Sequence, residues 1–445
     1  MTANSRQRWL IIAHAFNMDG RAASQTITDK LPHLRRAGIE VVVLSGVSGS
    51  HDGHVEHHQL WPMGPAGFRF ELRHVLRRHW GSGIRYRLFM TVASVFLLPW
   101  MLLEKLLRPV ESSWSWWLSA YLKGRVLARH KPFDLIYSTG GAFAAHVAAR
   151  ALKQATGTPW LAEVHDPMVV PGAQPVSPQQ EMQARVERLI CTDADIAIWF
   201  TEKALVSARQ RHPQLAVRGK MMLPGIDKPF KELPPYQPGQ KFVIGHFGSL
   251  SPTRHLGPIM AALELLIERQ PELVDATELH VYGGPLDKVS SGVLASSRAR
   301  HCLRHFGRIE ADPVHGLSGR EQILQRMRSV DMLLLLHGED AICSEYIPSK
   351  LYEYLWMQRP IVALVHRNPQ MVALIRGQGH LVVCSGADNA RSSTVNDDLA
   401  QALEQLYRQW RSGGLKDNGR ASPYTTEAAV AQLLGWVNQL PQGPS

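Results

Sequence analysis

Glu345 and Glu353 stand with seven residues between them in EYIPSKLYEYLWMQRP (345–360), and Lys350 lies in that interval. A carboxylate pair of this kind can grip vicinal hydroxyls through charge-assisted hydrogen bonds. Pro348 fits the first turn of a helix, where its missing N–H is not needed. The pattern predicts a helix over 348–357 that stops before Pro360. Its N-terminus offers free N–H groups and the positive end of the helix dipole, which suits an anion. Glu353 falls just over one turn in, and Glu345 lies on the entering loop. A second constellation is His165-Asp166-Pro167. It follows a strand-like run at 159–164, and catalytic groups gather at the carboxyl ends of strands in α/β folds. The bland alternatives are a surface helix with ordinary Glu and Lys, and a structural histidine.

The surrounding elements alternate between strand and helix. Residues 9–13 read as a buried strand. The loop HAFNMDGR (14–21) follows, then a helical pattern to Arg36, Gly38 as its stop, and a strand at 40–44. Gly20 lies in that first loop, and no GxGxxG is present, so the dinucleotide fingerprint is absent. Further strands are expected at 133–138, 159–164 and 194–200, with helices at 142–154 and 179–191 and Thr201 capping a helix from Glu202. The proline-rich stretch DKPFKELPPYQPGQ (227–240) reads as a linker. A second α/β pattern starts at 241–246. It continues through a loop ending at Arg254, a helix at 256–268, strands at 279–282 and 330–336, and a connector at 305–307. Beyond the opening stretch come strands at 361–365 and 380–384, an amphipathic helix at 397–411 and a final helix at 425–440.

One segment stands apart. RYRLFMTVASVFLLPWMLLEKLLR (85–108) is apolar over 88–103, with basic residues at both ends. A spanning helix needs about 20 apolar residues, so this one is short for that task. Docking in the membrane interface is the leading expectation, ahead of an internal helix and a true span. Trp100, Trp114, Trp116 and Trp117 surround the segment, and tryptophan favours the membrane–water boundary. The basic residues at 69–87 would attract anionic lipid.

Composition sets the outer limits. The 445 residues exceed one ordinary core, so two domains are expected. The balance of 49 Lys+Arg against 38 Asp+Glu, net +11, suits an anionic partner. The basic residues cluster beside an apolar segment and not beside stacking aromatics in a groove, which disfavours nucleic acid. Cys191, Cys302, Cys343 and Cys384 show no zinc or disulfide spacing and read as idle thiols of a reducing compartment. His54, His57 and His58 are expected on a solvated loop. The first apolar run is too short for a signal peptide, so the expected location is cytoplasmic, peripheral on the inner face of the plasma membrane.

The motifs together resemble the family 4 glycosyltransferases of the GT-B fold. The resemblance rests first on Glu345-(seven residues)-Glu353 with IPSKLYEY inside it and RPIVAL after it. HAFNMDGRAAS is similar to the family's first glycine-containing loop, EVHDP to its (R/H)DP segment, and DADIAIWFTEKA to its helix entry. LPGIDKPF matches its "proline-asparagine-glycine-valine-aspartate" segment and HFGSL…R its phosphate loop. The order and spacing agree over nearly the whole chain.

The resemblance implies an α/β architecture of two Rossmann-like doubly wound parallel-sheet domains facing an interdomain cleft. Residues 1–226 would form the acceptor domain, with a candidate membrane-docking segment at 85–108. Residues 227–240 would be the linker and 241–422 the nucleotide-sugar domain, with the helix of 423–445 packing back toward the N-terminal domain. It also implies retaining transfer from a nucleoside-diphosphate sugar, UDP- or GDP-linked, without a bound metal or other cofactor. Glu353 would hold the ribose hydroxyls, and Glu345 and Asp166 the donor sugar. Arg254 and Lys350 would neutralise the diphosphate with the Gly20 loop, and His165 would lie near the scissile bond. A glycosidase also uses two carboxylates, but they flank the scissile bond; a lysine between them argues for a phosphorylated donor.

Three departures bear on donor identity. No lysine follows Arg254 within 256–260, no asparagine precedes the glycine of Leu223-Pro224-Gly225, and Tyr346 replaces the usual glycine after the first glutamate, narrowing the sugar pocket. The expected partners are the donor, a lipid-linked or polysaccharide acceptor and an anionic membrane surface. A nucleotide-sugar epimerase and a non-catalytic scaffold of the same fold are the alternatives.

Overall fold

The computed structural model describes residues 7–18, 21–140, 143–312, 315–386 and 392–441. The chain divides into two compact units, residues 1–227 with 426–445, and residues 228–425. The first unit holds β1 (Arg8–Ile12), β2 (Glu40–Ser45), β3 (Glu56–Gln59), β4 (Leu135–Thr139), β5 (Trp160–Val164), β6 (Ile196–Trp199) and β7 (Gly219–Met221). They form one sheet in the order β3-β2-β1-β4-β5-β6-β7, and every pairing is parallel. The second unit holds β8 (Phe242–Phe247), β9 (Thr277–Tyr282), β10 (Leu303–Gly307), β11 (Met332–Leu336), β12 (Ile361–His366) and β13 (Leu381–Ser385). Its order is β10-β9-β8-β11-β12-β13, again all parallel.

Parallel sheets are buried on both faces, so their strands read as continuous apolar runs. Leu10, Ile12, Val42 and Leu44 enter the core on one face of the first sheet, and Trp9, Ile11, Val41 and Val43 enter the core on the other. The helix Thr426–Val437 covers the second face with Ala429, Val430 and Leu433, so the end of the chain belongs to the first unit. In the second unit the helix Ser392–Arg411 adds Leu399, Leu403 and Leu406 to a core with Ile244, Leu334 and Val362.

Three sequence expectations change. His57 is buried on β3 and not in a solvated loop; its ring bonds Ser45 Oγ (2.8 Å) and receives the Asp52 N–H (2.9 Å), and burial lowers its pKa to about 4. Residues 305–307 are the end of strand β10, an edge strand with polar exposed side chains, and not a bare connector. Trp116 is fully buried at the start of the helix Trp116–His130, edge-on to His14, so it serves the core and no membrane boundary. The apolar segment forms the helix Ile84–Leu107 and is not internal, for Met90 is its one buried residue.

That long helix pairs with the preceding helix Pro65–Trp80 as a hairpin. Met90, Ala93, Ser94, Leu97, Met101 and Glu104 recur at helical spacing and are the less exposed positions, while Val95, Phe96 and Leu106 are 67%, 75% and 79% exposed. The base of the hairpin is fixed by polar contacts. Gly64 N–H donates to Ser115 Oγ (2.8 Å), and Ala66 N–H and Trp114 Nε1–H donate to Glu104 (2.8 and 2.7 Å). Glu104 is the only acid in the long helix, and it sits against the N-terminus of its partner, where the dipole favours a carboxylate.

The second unit is pinned by arginines. Arg359 and Arg328 are buried and converge on Asp417, with Nη–Oδ distances of 2.9 Å for Arg359 and 2.6 Å for each bond of Arg328. The same guanidinium groups donate to the Val330, Asp331, Pro234 and Met357 carbonyls, and Arg359 stacks 3.4 Å over the Tyr236 ring. Tyr236, in the proline-rich stretch, also donates to Asp331. Asp417→Ala leaves two buried cations without their carboxylate. The expected loss is about 2–4 kcal/mol of the second unit's stability, read by urea denaturation; unchanged unfolding would show that the carbonyls alone suffice.

Candidate functional site at the carboxyl edges of the sheets

In each sheet the strand order reverses direction once, between β1 and β4 and between β8 and β11. The crevice outside the carboxyl ends of strands at such a reversal is where open α/β sheets bind ligands. Both sequence-predicted clusters lie at these edges, one in each unit.

In the second unit, the loop after β8 carries Gly248 and Arg254, and it is closed by backbone bonds between Ser251 and Arg254 (2.9 Å each way). Gly248 adopts φ +139, a region favouring glycine, and a Cβ there would run into the Lys350 ammonium. Lys350 donates to the Phe247 carbonyl at the end of β8. One turn further along, the Tyr354 hydroxyl receives the Phe247 N–H (3.0 Å), so one short helix braces the end of β8 from two positions. Burial, then the nearby Arg254 charge, lower the Lys350 pKa to about 8, with Glu353 pulling it partly back. Lys350, Arg254 and Glu353 therefore share one electrostatic neighbourhood.

The helix itself differs from expectation. It spans Lys350–Trp356, seven residues, starting two residues later than predicted. The Leu351 and Tyr352 N–H groups are already bonded to the Pro348 and Ser349 carbonyls (3.0 and 3.1 Å). The anion-attracting feature of this stretch is thus the Lys350 ammonium more than the helix terminus. Glu345 is buried at the end of a 3₁₀ turn, Ala341–Glu345. Tyr346 places its hydroxyl 3.4 Å from Arg254 Nη1.

Two residues that the sequence did not single out hold this arrangement. Asn368 caps the helix Pro369–Gly377 by accepting the Met371 N–H (3.0 Å), and it donates to the Tyr346 and Cys343 carbonyls (2.9 and 3.3 Å). That fixes the loop bearing Glu345. Arg320 stands 4.0 Å from Glu353. The Asn-Pro dipeptide at 368–369 was a readable cap signal; nothing local marked Arg320.

In the first unit, His165 follows β5, and its Nε2 lies 2.9 Å from both Glu163 Oε1 and Thr139 Oγ1. Its ring stacks on Phe200 (4.9 Å). Behind it sits a fully buried network. Lys30, from the turn between the helices Ala22–Thr28 and Leu31–Arg36, pairs with Glu163, and the Tyr137 hydroxyl donates to the same carboxylate (2.7 Å). Burial opposes the Glu163 charge, but Lys30 and His165 outweigh it and hold the carboxyl well below the usual range. A carboxylate in that state accepts from His165 Nε2–H and leaves Nδ1 as the other ring position. Asp166 is exposed beside it. The His14 Nε2 lies 3.1 Å from Glu71, buried on the first helix of the hairpin. Gly20 lies outside the described residues. Among the described residues no group of three or more His, Cys, Asp and Glu could hold a metal ion.

Two all-parallel doubly wound units of this kind are the GT-B architecture. Residues 22–214 match the family model described as a glycosyl transferase 4-like domain. The chain is a GT-B protein carrying that domain, consistent with the family 4 glycosyltransferases. Similar solved structures include HepE of Anabaena in complex with UDP, at 13% identity over 98% of this chain and 100% of that one, with a TM-score of 0.57. Sucrose-phosphate synthase from Thermosynechococcus elongatus is 14% identical over 98% and 99%, with a TM-score of 0.60. WaaG, a glycosyltransferase involved in lipopolysaccharide biosynthesis, is 12% identical over 97% and 100%, with a TM-score of 0.55. At these identities the likeness is one of fold. No curated protein sequence matches the chain.

If this cluster holds a nucleoside diphosphate, the Lys350 shift predicts a pH dependence for its binding. The ammonium is half lost near pH 8 in the empty protein. A bound diphosphate favours the charged form and raises the pKa, so binding takes up a proton. Affinity is then full below pH 8 and falls above it by up to about tenfold per pH unit. Calorimetric titration with UDP and GDP from pH 6.5 to 9.5 tests this, and Lys350→Met should give a weaker, flat profile. A flat profile in the unmodified protein would sink the assignment.

Proposed function

We propose that this glycosyltransferase-type protein moves a sugar, with retention, from a UDP- or GDP-linked donor to a lipid-linked or polysaccharide acceptor in cell-envelope glycan synthesis. The observation that carries the reading is the Arg254–Lys350–Glu353 cluster at the carboxyl edge of the second sheet, with Glu345 held on the adjoining loop. Two fixed cations meet the charge that builds on a departing diphosphate, with no need for a bound metal. Glu353 then takes the ribose hydroxyls, and Glu345 the hydroxyls of the sugar. His165, oriented by Glu163 and Thr139, is assigned to the transferring sugar with Asp166. UDP in the HepE structure and the involvement of WaaG in lipopolysaccharide biosynthesis support this reading of donor and acceptor.

The proposal includes peripheral attachment to the cytoplasmic face of the plasma membrane. The helix Ile84–Leu107 is long and apolar enough to cross a membrane. Its hairpin partner carries Arg69, Arg73, Arg77 and Arg78, which a crossing hairpin would drag into hydrocarbon at high cost. Lying in the interface keeps those cations among anionic headgroups and buries only the apolar face. An epimerase would leave this face without a use.

The donor test is a screen of UDP- and GDP-sugars for thermal stabilisation, followed by donor hydrolysis. Glu353→Ala should weaken the best donor by about 1.5–3 kcal/mol, the range of hydrogen bonds to a charged group. Binding of no nucleotide, or equal binding by the variant, refutes the assignment. For attachment, Phe96→Glu and Leu98→Glu should each release the protein from phosphatidylserine vesicles without lowering its melting temperature. Retention of both variants on the vesicles argues against interfacial docking.

A further inference from the structure

At the base of the hairpin lies a groove of about 630 Å³. Its walls include Met63 just before the first arm, Phe68 on that arm, and Leu97, Trp100, Leu103 and Leu107 from the second. The volume is that of a small-molecule site, about 300–1,000 Å³. The groove is continuous with the exposed face of the long helix, because Trp100, Leu103 and Leu107 belong to both. Its one carboxylate, Glu104, already accepts from Ala66 N–H and Trp114 Nε1–H. Its one cation, Arg108, lies with its guanidinium 6.0 Å from the Trp114 ring. An apolar trough with a cation at its rim is complementary to a hydrocarbon chain that ends in a phosphate.

The groove also points toward the chemistry of its own unit. Arg108 opens the short connection to the helix Trp116–His130, and that connection carries Glu111. Glu111 accepts from the Phe143 N–H (3.2 Å) at the start of the helix that follows β4. The rim is thereby anchored to a loop at the carboxyl edge of the first sheet, where His165 stands.

We propose that this groove binds the hydrocarbon chain of a lipid phosphate, the acceptor of the transfer, with its phosphate held at Arg108. The inference rests on the reading of a membrane-borne acceptor and adds the place where the lipid is held. The long helix meets the bilayer as a surface, and the groove draws one lipid out of it.

The test uses the full chain and a decyl phosphate carrying a diazirine on its alkyl chain. Photolabel is expected on peptides covering 62–68 and 97–108, competed by unlabelled decyl phosphate and not by inorganic phosphate. Met63→Trp fills the trough and should cut labelling by about tenfold, and Arg108→Gln should weaken decyl phosphate by about tenfold while leaving decanol unchanged. Both variants keep the outward face at Val95 and Phe96, so vesicle binding should persist. Label spread along 84–107 without preference for the groove, or equal labelling of Met63→Trp, overturns the proposal even if vesicles bind and donor is hydrolysed. A groove shielded from label because the protein self-associates through it overturns it too. Correct labelling with no nucleotide binding in the donor screen would refute the transferase reading and leave the groove standing.

Discussion

A parallel sheet covered on both faces has few places for polar chemistry, and its carboxyl edge is the chief one. There the strands stop, loops begin, and charged groups can gather without crossing a core of Leu, Ile and Val. The first unit shows the constraint at its limit. Glu163 points inward from β5 with no exposure, and it is kept ionised by the equally buried Lys30. Isolated, either charge would be prohibitively costly to bury. Paired, and given bonds from Tyr137 and Thr139, the carboxylate becomes a fixed acceptor that sets the orientation of His165. The orientation of His165 is therefore set by a buried ion pair whose carboxylate it touches and whose lysine lies behind that carboxylate.

The second unit places a lysine and an arginine at its edge, both partly buried. Gly248 leaves room for Lys350, and Lys350 is bonded to the Phe247 carbonyl before any ligand arrives. Desolvation has already been met in folding, which is why its pKa is low. Asn368 and Tyr354 complete the frame, one fixing the loop of Glu345 and the other bracing the end of β8. The lysine, the two glutamates and the arginine sit on elements whose geometry is set by the core.

Strands with long apolar runs, such as Met332–Leu336 and Ile361–His366, were legible because periodicity and composition agree there. The edge strands were not. EHHQ of β3 is short and polar and LRHFG of β10 is short and mixed, and their pairing with β2 and β9 decides what their residues alone could not. The glutamates and lysine at 345–353 were legible because a fixed spacing on one short segment carries their relation. Lys30 with Glu163, and Arg320 with Glu353, were hidden for the opposite reason: their partners are 133 residues apart in the first case and meet only through the fold. The helix Lys350–Trp356 starts two residues later than the sequence predicts, because Pro348 satisfies the rule for a first turn yet sits in a tighter turn before it.

The sheet topology gives the hairpin a temporal meaning. β1 pairs with β4 at Trp9 and Leu135, and the whole apolar helix is encoded between them. A chain growing from its N-terminus therefore makes its most water-averse segment before the central strand pairing of its first unit can close. Long-range parallel pairing is slow, and exposed apolar surface in that interval invites aggregation. In the finished first unit the hairpin partner covers only one stripe of that helix, and Val95, Phe96 and Leu106 stay exposed. If the helix docks on a membrane as proposed, a bilayer would shield that face during the interval, and docking would then precede closure of the first sheet.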